Sequence, residues 1–209
     1  MGISIGKNQI MRIVELILDE QQMASGIDAI SIVEAPAIES NFVALKSHEV
    51  KFAKVDTEKR ILMGPILIPD KPIYRKQVVD GVMDEFYIYF SKQTVAKASQ
   101  MFLMKGNQNN ATIEHQLAVK GVCMVESWLK EDMEKDKSAI YGMTDPIGTW
   151  MGCLKVTNDD VWNDVKDGKF KGFSIEGYFA DKMKMSKTPS VLEEVKELLN
   201  EYKKSNTNK

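Results

Sequence analysis

Residues 169–179 read KFKGFSIEGYF, from Lys169 to Phe179. Phe173 and Ile175 alternate with Ser174 and Glu176, the period of a strand with an apolar face and a polar one. Gly172 and Gly177 bracket the serine, where backbone without a side chain lets another chain come close. A hydroxyl between glycines on a rigid strand is a candidate nucleophile, and it is equally a way to build a tight sheet. Context has to decide between the two. The nearest context is a second segment, Asn110-Ala111-Thr112-Ile113-Glu114-His115-Gln116, which carries one of the two histidines of the chain.

Composition narrows the chemistry. The chain has 209 residues, enough for one domain with a real core, and its 44% hydrophobic and 28% charged content is ordinary for a globular protein. A net charge of -2 leaves no basic footprint for nucleic acid. No apolar run is long enough for a membrane helix, and the N-terminus lacks the order of a signal peptide. The two cysteines, Cys123 and Cys153, sit in apolar strand-like contexts and are expected to be reduced core residues. Neither metal-ligand spacing nor a Gly-rich phosphate loop occurs, so no metal and no cofactor is expected.

Around the opening stretch, strands are expected at 27–33, 42–45, 50–55, 60–68, 85–90, 111–117, 121–129 and 150–156, while 11–18 fits a strand or a short helix. Residues 74–84 read as a polar loop or short hairpin. His48 reads as a surface histidine. Ser91 should cap a helix over 92–104 that stops at Gly106, and Thr157 a short helix ending at Gly168 that buries Val161, Trp162 and Val165. The charge run 130–137 reads as a solvated loop. A last amphipathic helix over 191–203 presents Val191, Leu192, Val195, Leu198 and Leu199. The organisation is a β-rich domain, 1–186, followed by an amphipathic helix and polar tail, 187–209.

With metals and nucleotides set aside, the reactive groups are Ser174, His115 and several carboxylates. A serine hydroxyl needs an adjacent base, usually imidazole, which a third group orients. Within a strand over 111–117, His115 would share a face with Ile113 and Leu117. Taken singly, each residue fits a packing role as well as a catalytic one.

The order TIEHQ (112–116), GVCMVESWL (121–129), GTWMGCLKV (148–156) and DDVWNDVKDGKFKGFSIEGYF (159–179) resembles the XkdF-like serine proteases of tailed phages. That group is allied to prohead maturation proteases and herpesvirus assemblin. The likeness runs from about Ile27 to Phe179. It implies a β-rich α+β fold, a closed or partly open β-barrel of the assemblin type with two or three peripheral helices. In that barrel Ser174 would be the nucleophile and His115 the general base. It further implies cleavage of scaffold and major capsid protein segments, and of the enzyme itself. The setting would be an assembling prohead in the host cytoplasm, with homodimerisation as in assemblin relatives.

The third catalytic group departs from the family pattern. Assemblins use a second histidine after the serine, and none follows Ser174. Prohead proteases carry an acidic residue on a later strand, in a stretch similar to EVSLVTFPA. Here AISIVEAPA occurs instead at 29–37, as if the fold were circularly permuted and this strand still lay beside that of Ser174. The acidic position then falls on Ala29, which leaves Asp28 or Glu34 to substitute. Glu126 and Glu176 are further candidates, Glu176 because it shares a strand face with Ser174. Assemblins stabilise the oxyanion partly through an arginine, yet Arg75 is the last one here. Backbone N–H groups near Gly152 or Gly177 are the alternatives. A non-enzymatic capsid or scaffold-associated protein of the same fold is the competing reading.

Overall fold

Alternation of apolar and polar residues sets most of the elements in this computed structural model, which describes residues 11–19, 25–38, 43–45, 59–79 and 81–181. In chain order the strands are β1 (Ile13–Ile17), β2 (Gly26–Val33), β3 (Val43–Leu45), β4 (Ile61–Leu67), β5 (Ile73–Val79) and β6 (Val82–Phe90). Helix α1 (Lys92–Met104) precedes β7 (Ala111–Ile113), β8 (Leu117–Val119), β9 (Val122–Leu129) and β10 (Trp150–Val156). Helix α2 (Asp159–Lys166), β11 (Gly172–Tyr178) and β12 (Ala180–Asp181) complete the described chain. The strand expected at 50–55, His48, the helix expected at 191–203 and the division at 186/187 lie outside the described residues.

The strands form three four-stranded sheets, ordered β12-β1-β6-β5, β3-β4-β10-β9 and β11-β2-β7-β8. The architecture is β-rich α+β with two α-helices among the described residues, and none of the three sheets closes into the expected barrel. At the seam where closure would be sought, β11 runs close to β4 without ladder pairing among the described residues. Strand β2 does lie antiparallel beside β11, the neighbour its sequence suggested, with Ser31 opposite Ser174. On its other side β2 runs parallel to β7, with Ser31 opposite Thr112.

One apolar core joins the sheets. Ile30, Ile32 and Phe173 meet Leu62, Ile66, Trp150 and Leu154, with Val14 and Phe90 from the β12-β1-β6-β5 sheet. Helix α1 seals it with Val95, Ala98 and Phe102, whose ring packs edge-on against Trp150 at 5.5 Å between centroids. Its start follows the expected cap, since Ser91 Oγ accepts from the Thr94 N–H. Helix α2 buries Val161, Trp162 and Val165 as expected, but its cap is Asn158, whose Oδ1 accepts from the N–H groups of Asp160 and Val161. The neighbouring Thr157 hydroxyl is turned instead to the Gly121 carbonyl.

Three further expectations change. Of the polar loop and the short hairpin left open for residues 74–84, the hairpin forms, but it is long and takes in the strand expected at 85–90, with β5–β6 paired from Ile73↔Ile88 to Val79↔Val82. The charge run 130–137 begins with a buried lysine, because Lys130 Nζ donates to the Met143 carbonyl at 3.0 Å. The strand over 111–117 is broken by a turn at Glu114–Gln116, so His115 does not share a strand face with Ile113 and Leu117.

The β2–β11 ladder shifts register between Glu176, opposite Ala29, and Gly177, opposite Ile27, which leaves Asp28 as the extra residue of a bulge. A Cβ on Gly177 would lie 2.0 Å from the Gly26 carbonyl oxygen and 2.7 Å from Ile27 Cα. Both are rigid backbone atoms, so the strands would have to separate. Gly177→Ala is therefore expected to destabilise the protein by about 3 kcal/mol or more in urea unfolding. Gly81→Ala, where nothing lies within 4 Å and only a positive φ opposes the side chain, should cost about 1 kcal/mol. Equal losses for the two variants would remove the steric argument.

Candidate functional site

The site is built on the sheet β11-β2-β7-β8. Across it runs a row of three hydroxyl residues, Ser174 on β11, Ser31 on β2 and Thr112 on β7, set opposite one another by register. Their neighbours on the other face, Ile30, Ile32 and Phe173, are buried in the core. Polar residues on one face and apolar residues on the other is what alternation in both sequences dictates. Ser174 is nonetheless only 8% exposed and Ser31 is fully buried.

His115 reaches this face from the turn that joins β7 to β8. Glu114 and His115 both adopt positive φ, 51° and 58°. A non-glycine residue is uncommon there, although histidine is among the side chains that tolerate it. Neighbouring groups hold the turn. The Glu114 N–H donates to the Ile32 carbonyl at 3.2 Å and the Gln116 N–H to the Ile113 carbonyl at 3.0 Å. The His115 N–H donates to Ser31 Oγ at 3.0 Å, and Glu114 Oε1 accepts from the Glu34 N–H at 2.6 Å.

This turn sets His115 Nδ1 at 3.3 Å from Oε1 of Glu176. The same oxygen accepts the Thr112 hydroxyl. Small Ala29 stands opposite Glu176 on β2, leaving the carboxylate free to lean across that strand toward β7. With a proton on Nδ1 facing the carboxylate, the lone pair of the imidazole lies on Nε2. The contact is solvent-accessible, the two side chains being 42% and 30% exposed. No hydrogen bond joins Ser174 to His115 among the described residues, although both belong to one face of one sheet.

The other carboxylates lie elsewhere. Asp28 is the exposed bulge residue, and its carbonyl accepts the Asn110 side-chain amide at 3.1 Å. Glu34 meets the turn through its backbone N–H, not its carboxylate. Glu126 belongs to a different sheet, where it pairs with Lys137. Of the four, Glu176 is the one set against His115. Gly152 is also in that other sheet, ladder-paired to Gly64 and Ser127, whereas Gly177 lies three residues from Ser174 on its own strand.

Thr112 and Ser31 carried no signal as site residues in the sequence. Thr112 was visible within TIEHQ and Ser31 within AISIVEAPA, but only the pairing of β2 with both β7 and β11 gives them neighbours.

A second polar cluster lies on the β9–β10 sheet. Glu126, Trp128, Asp136 and Lys137 line a shallow groove of about 650 Å³. Lys137 Nζ sits 5.4 Å from the centre of the Trp128 ring and 3.7 Å from Cys153 Sγ. Burial, reinforced by the Glu126 charge and opposed by Lys137, pushes the Cys153 thiol up to about 11. A thiol that stays protonated is a poor nucleophile, so Cys153 does not compete with Ser174 for a chemical role.

A hydroxyl, an imidazole and a carboxylate on one sheet are the parts from which serine hydrolases are assembled. The comparison with protein families gives the same class. A family model described as "Putative phage serine protease XkdF" matches residues 49–184, and the chain belongs to that family. No curated protein and no solved structure gives a significant match. The matched span takes in Ser174, His115 and Glu176 but begins after β1, β2 and β3, so the likeness at 27–48 lies outside it.

The thiol assignment is testable directly. At pH 8 about one Cys153 side chain in a thousand is ionised, so iodoacetamide should leave it unmodified in the folded protein while the partly exposed Cys123 reacts. Rapid modification of Cys153 at that pH, located by peptide mapping, would contradict the burial.

Proposed function

We propose that the protein is a serine endopeptidase in which Ser174 attacks the substrate carbonyl, His115 takes its proton and Glu176 orients the imidazole. The observation that carries this reading is the Glu176 carboxylate at His115 Nδ1, on the same strand and face as Ser174. Residues two apart on one strand face are about 7 Å apart at Cα, a span that an imidazole can bridge with one nitrogen toward each. The attacking step needs Nε2 to approach Ser174 Oγ. Hydrogen bonds of this kind are often long before substrate binds. Gly177 and its neighbours supply backbone N–H groups for the oxyanion in this scheme.

Membership of a phage protease family supports a place in virus head assembly. The substrates proposed are scaffold and major capsid protein segments, with self-cleavage, inside a prohead in the host cytoplasm. A homodimer is part of the same proposal. Among the described residues no helix is long and apolar enough to cross a membrane. The β2–β11 adjacency supports a circularly permuted relative of the assemblin-type fold, with the acidic group supplied by Glu176 rather than by the early strand.

A second reading has its own observation. Ser174 is nearly covered and makes no hydrogen bond to His115 among the described residues, as suits a capsid-associated protein that keeps the fold without the chemistry.

Labelling with a fluorophosphonate separates the two. Wild-type protein should be modified at Ser174, and His115→Ala should abolish the reaction. Glu176→Gln should slow it by about two to four orders of magnitude, since the amide no longer holds the imidazole in the required tautomer. Asp28→Asn and Glu126→Gln should react at the wild-type rate. Failure of wild-type protein to label, both free and in assembled particles, would favour the structural reading.

A further inference from the structure

The buried hydroxyl of Ser31 has a use that burial alone does not explain. The parallel β2–β7 ladder ends at Ile32↔Ile113, just before the chain turns through two successive left-handed residues. Beyond that point the His115 N–H has left the ladder, and it donates instead to Ser31 Oγ, on a residue that is 0% exposed. A buried hydroxyl without a partner is costly, so Ser31 Oγ and the backbone of the exposed His115 hold one another, which helps to fix where His115 can sit. Ser31 is also the residue directly opposite Ser174.

We propose that Ser31 is a positioning residue that refers the base to the nucleophile. Its backbone register sets the level of Ser174 on the neighbouring strand, while its side chain holds the backbone of His115 on the other side. One residue thereby fixes both groups against the same strand. Thr112 completes the hold from the side-chain end, by anchoring the carboxylate oxygen that faces Nδ1. This role rests on the serine-protease reading above and adds a residue outside the span matched by the family model.

The test compares three full-length variants. Ser31→Thr keeps the hydroxyl, Ser31→Val has nearly the same shape without it, and Ser31→Ala removes it with less bulk. Fluorophosphonate inactivation should be about tenfold slower in the maximal rate for Ser31→Val and Ser31→Ala, with half-saturating probe concentration unchanged and the rate largely restored in Ser31→Thr. Amide hydrogen exchange supplies a readout independent of chemistry. The His115 N–H should exchange at least tenfold faster in the valine and alanine variants, while Thr112 and Ile113 on β7 keep their protection.

Valine and threonine variants that inactivate at one common rate, or an alanine variant whose His115 amide stays protected, would overturn the positioning role alone. Wild-type protein that takes no probe would overturn the protease reading and the role together. The two failures are thus told apart. Should the valine variant not fold, the alanine variant and its exchange pattern decide the question.

Discussion

The antiparallel pairing of residues 26–33 with residues 172–178 brings together segments from opposite ends of the described chain, and the site depends on it. Such a contact repays its loop-closure entropy only when the whole intervening domain has formed. It is held in a tight form, with the bulge at Asp28 and the near-contact of Gly177 with the Gly26 carbonyl setting how the strands cross. Bulges re-aim side chains and increase local twist. Here the irregularity falls immediately after Glu176, the residue whose carboxylate must lean across β2 to meet Thr112 and His115. Hydroxyl, imidazole and carboxylate therefore share one mechanical reference, the strand β2.

Much of the fold was legible because local signals agreed with the tertiary outcome. Helix α1 has its boundaries written in Ser91 and Gly106, β10 is a nearly continuous apolar run of strand length, and β11 alternates. The β7–β8 turn was not legible, for an identifiable reason. Ile113, His115 and Leu117 keep the spacing of one strand face straight through it, without the glycine, asparagine or proline that normally announces a reversal. Glutamate and histidine take the left-handed conformations instead, stabilised by bonds to Ile32 and Ser31 on another strand. The barrel came from resemblance, and the described strands divide into separate sheets without closing it.

The site was legible in part and for a similar reason. Ser174, His115 and Glu176 could all be named from their chemistry, but four carboxylates competed for the third role until distances existed. Glu126 illustrates why. It too lies on a strand read from the sequence, yet its sheet turns it toward Lys137 and the Trp128 groove. Ser31 was invisible because a buried serine in an isoleucine-rich strand gives no signal of its own. The family match likewise begins beyond it, so part of the support for the candidate base comes from outside the span by which the family is identified.

The left-handed pair at Glu114 and His115 sets stability against chemistry at a single position. Glycine is the residue such a conformation favours, and a search for thermal robustness would tend to select it there. The same exchange deletes the imidazole. The imidazole at His115 therefore comes with the energetic penalty of a left-handed backbone that a glycine would relieve.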